Sequence, residues 1–241
     1  MPRVATKLND RIEVAEGTMA FAFERPPAWD FIAGQFVVVV LPNPPYDDAE
    51  GNRRVFSIAS PPHDRTQLQI VTRMTGTAMK RSLAEVPLGT LVELAGPSGE
   101  FVLPSEAAHP VVFIAGGIGI TPFRSMVQDV IHRRLPHQIT LIYSNRTPEG
   151  AAFHPEFSSL ALAHPQIRYV PTMTQAEKSS RPWNGERRRL TPEFLRTHVA
   201  DIPAALFFLA GPPGLVAAAT KAVLAAGVDP TRVRAEEFAG Y

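Results

Sequence analysis

The sequence predicts a β plus α/β chain, in which an N-terminal antiparallel β-barrel is followed by a parallel-sheet α/β domain. Up to about residue 103, short segments rich in β-branched and aromatic residues are separated by turn residues, which is typical of a small barrel. Beyond that point, apolar strand-like segments alternate with segments of helical periodicity, which indicates a parallel sheet. The sequence PSEAAHP at 104–110 has the composition of a linker, so we predict domains over 1–104 and 105–241.

The predicted barrel strands are short and rich in Val, Ile, Thr and Phe. They cover residues 35–41, 53–60, 67–74 and 90–96. At the start of QLQIVTR (67–73), polar and apolar residues alternate, which is the period-2 pattern of a half-buried strand. One segment, TAMKRSLAEV at 77–86, is predicted to be a short helix between strands.

The predicted strands of the second half are nearly continuous apolar segments. They cover residues 111–115, 139–144, 167–173, 205–211 and 232–238. Between them, apolar residues within 121–134 recur at helical spacing and form one stripe. A further helix over 213–226 is predicted to end at Gly227, and FHPEF and TPEFL have the form of helix starts.

Composition excludes several classes of function. The 241 residues carry a net charge of +1, so the electrostatic signature of a nucleic-acid-binding protein is absent. There is no cysteine, which excludes disulfides and any iron–sulfur cluster held by this chain. Apolar runs such as FVVVVL at 36–41 are far shorter than the ~20 residues of a membrane helix, and the charged N-terminal segment is unlike a signal peptide. We therefore expect a soluble, cytoplasmic protein with no membrane span.

A glycine-rich turn follows the first predicted strand of the α/β half. VFIAGGIGITPFRSM at 112–126 runs from an apolar strand into a helix through Gly116, Gly117 and Gly119. Bare main chain before a helix N-terminus is suited to binding a pyrophosphate, and Thr121 is placed to cap the helix or bind that phosphate. The alternative is a tight strand-to-helix turn without a ligand. The spacing fits neither the dinucleotide fingerprint nor a P-loop.

Three weaker candidate sites contain basic residues. RRVFS at 53–57 offers two arginines to an anion, and TGTAMK at 75–80 opens the predicted helix with small residues and a lysine. GERRRL at 185–190 is either a solvated loop or a site for the extra phosphate of NADP. The seven histidines do not have metal-ligand spacing.

Taken together, the motifs resemble the ferredoxin–NADP reductase family. The resemblance covers nearly the whole chain, and its blocks occur in the family's order. The matching blocks are RVFS (54–57), GPSGEF (96–101), AGGIGITPFRSM (115–126), YSNRTPE (143–149), LAGPPG (209–214) and EEFAGY (236–241). The resemblance implies a flavin-binding barrel followed by a nicotinamide-binding domain.

Residue roles follow from the same resemblance. The RVFS block implies that Arg54 binds flavin phosphate, that Val55 and Phe56 lie against the flavin, and that Ser57 hydrogen-bonds near its N5 atom. The flavin phosphates are further assigned to Thr77, Ala78, Met79 and Lys80. The nicotinamide dinucleotide is assigned to Gly117, Gly119, Thr121, Arg146, Gly211 and Pro212. Ser57 and Glu236 are the candidate catalytic residues, and Tyr241 is a candidate for stacking on the flavin.

The chain also departs from the family pattern. Phe56 replaces a frequent Tyr, Lys80 replaces a Ser or Thr, and Ala210 replaces a Cys. The resemblance implies FAD, with FMN as an alternative. For the nicotinamide, Glu149 would repel the 2′-phosphate of NADPH whereas Arg146 and the arginines at 181 and 187–189 would attract it, so both NADH and NADPH remain open, with a slight preference for NADH.

The resemblance implies an NAD(P)H-dependent flavin oxidoreductase that passes a hydride to the flavin and then single electrons onward. Since the chain has no cysteine, the expected acceptor is a separate protein, such as a ferredoxin-like protein or an oxygenase component. One alternative is direct reduction of a small acceptor such as a ferric chelate, free flavin or quinone. Another is a nucleotide-binding module without turnover.

Overall fold

The computed structural model describes residues 3–238, which divide into two compact units. The first unit contains the chain up to Leu103 together with Thr121–Asp129. The second contains Pro104–Ile120 and the chain from Val130 onward. Tyr241 lies outside the described residues, as do the other four terminal positions.

The first unit is built on an antiparallel sheet, as the sequence predicts, but the sheet has six strands and the sequence indicated only four of them. The strands are β1 (Arg3–Ala15), β2 (Thr18–Glu24), β3 (Phe36–Val40), β4 (Arg53–Ser57), β5 (Gln67–Arg73) and β6 (Leu91–Ser98). Their order in the sheet is β4-β3-β6-β1-β2-β5. The two outer strands meet through an antiparallel bridge between Ile58 and Ile70, which closes the sheet into a barrel.

The barrel core consists of the inward-facing side chains of these strands. Alternation along β5 places Leu68 and Ile70 in the core with no exposed surface, while Gln67 faces solvent. The predicted helix is α1 (Ala78–Glu85), and its Met79 and Leu83 pack into the same core.

The second unit is a five-stranded parallel sheet with the order β11-β10-β7-β8-β9. Its strands are β7 (Val111–Gly116), β8 (Ile139–Asn145), β9 (Ile167–Met173), β10 (Leu206–Gly211) and β11 (Val233–Glu237). Its helices are α3 (His154–Ala163), α4 (Pro192–His198) and α5 (Pro213–Ala225). The helix after β7, α2 (Ile120–His132), is divided, because its residues Thr121–Asp129 belong to the first unit. Every residue of β7 is buried, which explains the apolar run that the sequence shows there.

The strand order of the second unit changes direction next to β7. From β7 the chain builds β8 and β9 on one side, and it then returns to place β10 on the other side of β7. In open parallel sheets, ligands bind beyond the carboxyl ends of the strands at such a reversal. The turns that follow β7 and β10 therefore occupy the expected ligand-binding edge of this sheet.

Candidate functional site

The guanidinium of Arg54 is enclosed by the loop between β3 and β4. Its side chain is only 17% exposed. Nη1 donates to three main-chain carbonyl oxygens of the loop at 2.8–3.0 Å. Nε lies 2.9 Å from Oε2 of Glu50, and Nη2 lies 2.7 Å from Oδ1 of Asp48. All three guanidinium nitrogens thus have oxygen partners from the protein.

The Asp48 carboxylate links Arg54 to the N-terminus of α1. Its second oxygen, Oδ2, accepts a hydrogen bond from the Ala78 N–H at 3.2 Å. The N-cap residue, Thr77, makes no side-chain capping bond, so this carboxylate satisfies one of the unpaired amides of the helix start. Chiefly through its hydrogen bond, Arg54 lowers the pKa of Asp48 below the ordinary value. Arg54 and the Ala78 N–H together hold the Asp48 carboxylate.

Lys80 adds a further cation to this region. Its ammonium donates to Thr75 Oγ1 at 3.0 Å. Burial, and after it the charge of Arg54, lower the pKa of Lys80. By contrast, Met79 is 1% exposed and belongs to the barrel core. The assignment of residues 77–79 to the flavin phosphates rests on their main chain at the start of α1, which the burial of the Met79 side chain does not affect, and Lys80 adds its ammonium.

The remaining residues of the RVFS block alternate along β4. Val55 is 61% exposed, whereas Phe56 is 9% exposed and lies in the barrel core. Ser57 at the end of the strand is half-buried. Within the RVFS block, Val55 is thus the exposed side chain and Ser57 is partly exposed.

The glycine turn after β7 has a packing reason within the second unit. A Cβ on Gly119 would lie 2.1 Å from the carbonyl oxygen of Ala210, so the main chain of β10 approaches too closely for a side chain. A Cβ on Gly116 would meet the side chain of Leu215. Gly117 differs, because it has a φ of +50° and a Cβ there would meet no atom within 4 Å. Close approach by protein explains Gly119, and the open space lies beside Gly117.

The turn after β10 approaches the same place. Gly211 has a φ of +151°, and a Cβ on it would lie 2.9 Å from the carbonyl oxygen of Gly116. Pro212 is the extended residue that precedes α5. Gly117, Gly119, Gly211 and Pro212 are therefore brought together at the strand-order reversal. Thr121 is the second residue of α2 and is therefore not its N-cap, and it is 2% exposed.

Glu236 lies on β11, where it pairs in register with Ala210 of β10. Burial raises the pKa of its carboxyl group to about 7. A group with such a pKa can hold or release a proton near neutral pH, which is a property of acid–base residues in active sites.

The Glu149 carboxylate accepts hydrogen bonds from the turn at 179–181. Its Oε1 accepts hydrogen bonds from Ser179 Oγ at 2.7 Å and from the N–H groups of Ser180 and Arg181 at 3.0 and 3.1 Å. These bonds, first the one from Ser179, lower the pKa of Glu149 to about 2. Its charge is thus balanced by donors of the 179–181 turn.

The basic cluster at 185–190 is partly paired. Arg188 Nε donates to Glu186 Oε1 at 2.9 Å, and Arg187 Nη2 donates to the carbonyl oxygen of Trp183 at 2.6 Å. Arg146 lies just after β8, and it is exposed. Its main-chain carbonyl oxygen accepts a hydrogen bond from the Gln175 N–H at 2.8 Å.

Asp48 is the residue that sequence reasoning missed. The sequence offers one signal, the acidic YDDAEGN directly before RRVFS, which places carboxylates within a few residues of the candidate arginine.

Among residues 3–238, no helix combines the length and apolarity of a membrane crossing. That part of the chain also lacks any cluster of three His, Asp or Glu side chains arranged for a metal ion.

Comparison with known families matches each half of the chain to a different domain family. Residues 5–103 match the oxidoreductase FAD-binding domain family, and residues 113–221 match the oxidoreductase NAD-binding domain family. The residues at both places suit these groups. Arg54 and the Ala78 N–H hold the two oxygens of the Asp48 carboxylate, and donors of this kind also suit phosphate oxygens. At Gly117, main chain with open space beside it is present.

Two curated relatives and one solved structure illustrate the likeness. Ferredoxin–NADP reductase B of Sorangium cellulosum is 30% identical over 80% of this chain and 75% of its own length. The reductase component 2 of terephthalate 1,2-dioxygenase from Comamonas sp. is 27% identical over 87% of this chain, which spans only 60% of that protein. The ferredoxin NADP⁺ reductase of Neisseria gonorrhoeae, solved with bound FAD and NADP, has the same fold, with a TM-score of 0.81, 22% identity and coverage of 98% and 99% of the two chains.

Proposed function

The chain belongs to the ferredoxin–NADP reductase family of FAD- and NAD-binding oxidoreductases, and from this we propose that it is an NAD(P)H-dependent flavoprotein reductase serving a separate electron acceptor. We assign flavin binding to residues 1–104 and nicotinamide binding to residues 105–241. When bound, the flavin supplies the acceptor for the hydride of NAD(P)H and the means to release its two electrons singly.

The observation that carries this proposal is the anion site at the start of α1. In a match to an FAD-binding domain, Arg54 and the Ala78 N–H already hold a carboxylate. We propose that these donors, with Lys80, bind the flavin phosphates. Val55, Phe56 and Ser57 would border the isoalloxazine ring, with the Ser57 hydroxyl as donor near its reactive nitrogen. FAD is favoured over FMN because the matching family binds FAD.

The nicotinamide dinucleotide is assigned to the edge of the second sheet. We propose that the pyrophosphate lies beside Gly117 and Thr121, and that Gly211 and Pro212 border the nicotinamide. Glu236 would hold a proton near the reacting ring, since its pKa lies at about 7. The side chains of Arg187 and Arg188 are engaged by local partners. We propose Arg146 for the 2′-phosphate of NADPH, with Arg181 and Arg189 as the other candidates.

The proposed acceptor is a ferredoxin-like protein or an oxygenase component. Support comes from relatives named as reductase components of dioxygenases and monooxygenases, which combine with separate proteins. A small diffusible acceptor is the second candidate. The matching proteins also include a flavohemoprotein and a structure named as a cytochrome P450 reductase, so the acceptor must be assayed directly.

The test is rapid mixing of the flavin-loaded chain with NADH or NADPH while the visible absorbance of the flavin is followed. Bleaching by either nucleotide is expected, faster with NADH. Arg146→Ala is expected to slow the bleaching by NADPH and to leave the rate of bleaching by NADH unchanged. Arg168→Ala is the matched control, because Arg168 is an exposed arginine on β9. Absence of bleaching with both nucleotides, or purified chain that takes up no flavin, would refute the proposal and favour a module without turnover.

A further inference from the structure

Asp48 occupies the anion position of the proposed flavin site with its own carboxylate. Its Oδ1 is bound by the Arg54 guanidinium at 2.7 Å and by the Glu50 N–H at 3.0 Å, and its Oδ2 is bound by the Ala78 N–H at 3.2 Å. We propose that Asp48 and the flavin phosphate compete for the donors of Arg54 and Ala78, so that Asp48 limits the affinity of the protein for phosphorylated flavins. This inference rests on the proposed function.

The two anions cannot share the donors without loss. The Ala78 amide has a single N–H, and Asp48 already accepts it. Each of the three nitrogens of the Arg54 guanidinium likewise has an oxygen partner from the loop. A phosphate beside an intact Asp48 contact would also place two negative charges within a few ångströms, which is unfavourable in a partly buried site. Binding of the phosphate to the Ala78 N–H therefore requires the carboxylate to withdraw.

The loop is built so that the carboxylate can withdraw without unfolding its surroundings. Tyr46 anchors the loop to α1, because its hydroxyl donates to Glu85 Oε2 at 2.5 Å and its main chain hydrogen-bonds with Ser82 Oγ at 3.2–3.3 Å. Past this anchor, the Asp48 side chain is 30% exposed and that of Glu50 is 74% exposed. Rotation of the Asp48 side chain into water also gives up the bond from the Glu50 N–H, but it leaves the anchor at Tyr46 in place.

The competition predicts a dependence on the chemistry of the ligand. FAD and FMN bring phosphate oxygens to Arg54 and Ala78, whereas riboflavin brings none. Removing the charge of Asp48 should strengthen binding of the phosphorylated flavins alone. A residue that instead positions Arg54 for the phosphate would give the opposite sign, because its loss would weaken FAD and FMN.

The test compares the dissociation constants of FAD, FMN and riboflavin for the full chain and its Asp48→Asn variant. Serial dilution of the flavin-loaded protein, followed by the fluorescence of the released flavin, gives the dissociation constants without any activity measurement. Because charge-assisted hydrogen bonds are about twice as strong as neutral ones, we expect Asp48→Asn to bind FAD about tenfold more tightly. The FMN constant should move in the same direction and the riboflavin constant should be unchanged.

Asp47→Asn is the matched control, since it makes the same charge change one residue away. Asp47 is exposed, its carboxylate accepts the Asp48 N–H, and its substitution should leave all three constants unchanged. Asp48→Ala provides a second variant, which should also tighten FAD. Weaker or unchanged FAD binding in both Asp48 variants, or an equal gain for riboflavin, would overturn the inference while leaving the proposed function intact. Failure of the wild-type chain to bind any flavin would refute both.

Discussion

At the scale of the residue, Glu236 combines an ordinary sequence position with an unusual environment. Its place in EEFAGY selects it by resemblance, but the sequence contains no information about its proton affinity. In the structure, burial penalises the charged carboxylate and raises its pKa to about 7. The neutral form is therefore present at a pH where most carboxyl groups in proteins are ionised.

This shift predicts a specific pH dependence of stability. The folded-state pKa of about 7 lies above the ordinary value of 4.5, so the folded chain binds the proton more tightly than the unfolded chain. The stabilisation is complete below about 4.5 and is lost as the pH rises through about 7. Urea unfolding of wild type and Glu236→Gln at a series of pH values should show a difference in free energy that changes over this window and is constant above it.

The exposed neighbour Glu237 provides the control. Glu237→Gln removes the same charge from a solvated position, and its difference from wild type should not follow this pH profile. A Glu236→Gln difference that is flat from pH 4 to pH 8 would contradict the assignment of a buried, protonated carboxyl group.

Asp48 illustrates the limit of sequence reasoning at the same scale. Arg54 and Ala78 were both selected from motifs, but neither motif indicates that one carboxylate joins them. Asp48 and Ala78 are 30 residues apart, and their contact depends on the conformation of the loop between β3 and β4. A three-dimensional contact of this kind leaves no pattern in the sequence.

At the scale of the element, the glycine turn was predicted correctly in place and incompletely in cause. The apolar run and the glycines at 112–119 predict a strand followed by a turn, and the structure confirms it. The sequence could not distinguish glycine needed for a ligand from glycine needed for packing. At Gly119 the approaching group is the main chain of Ala210, which belongs to a strand about 90 residues later.

Gly119→Ala should therefore destabilise the protein even without a nucleotide. The added Cβ would lie 2.1 Å from the Ala210 carbonyl oxygen, and main chain on both sides leaves little room to adjust. Overpacking of this kind costs roughly 1–3 kcal/mol or more. Thermal or urea unfolding of the variant measures the loss.

Gly214→Ala is the matched substitution in the first turn of α5. A Cβ there would meet no atom within 4 Å, and alanine is favoured over glycine in helices by up to about 1 kcal/mol. The control variant should be as stable as wild type or slightly more stable. Equal stability of the two variants would show that the turn can adjust to the extra atom.

The elements that the sequence analysis did not predict are β1 and β2. Along β1, three consecutive polar residues at 9–11 interrupt the alternation of polar and apolar residues, and most of its side chains are exposed or half-buried. The apolar content of β2 is largely Ala, Met and Phe, which does not distinguish a strand from a helix. Both strands are defined by their pairing, since β1 lies between β2 and β6 in the sheet. Tertiary pairing, and not local preference, determines them.

At the scale of the whole molecule, the two compact units are not two consecutive stretches of the sequence. The composition predicts a division near residue 104, which stays a prediction, whereas the contacts group Thr121–Asp129 with the barrel strands. Specific bonds account for this grouping. Arg124 Nη1 donates to the Ala59 carbonyl oxygen and to Gln69 Oε1, both at 3.1 Å, and Ser125 Oγ donates to the Ser60 carbonyl oxygen at 2.8 Å.

The Ser125 bond predicts a measurable contribution to the stability of the full chain. Ser125 has no exposed surface, and Ser60 is 3% exposed. Replacing Ser125 with Ala leaves the buried carbonyl oxygen without this donor, and an unsatisfied buried group costs about 1–3 kcal/mol.

Ser158→Ala is the control, because the Ser158 hydroxyl donates back along its own helix to the His154 carbonyl oxygen, at 2.9 Å. Alanine is the best helix former, so this variant should remain within about 0.5 kcal/mol of wild type. Urea unfolding measures the loss of unfolding free energy in both variants, and we expect the larger loss for Ser125→Ala. Equal, small losses in the two variants would mean that the bond from Ser125 contributes nothing to holding Thr121–Asp129 against the barrel strands.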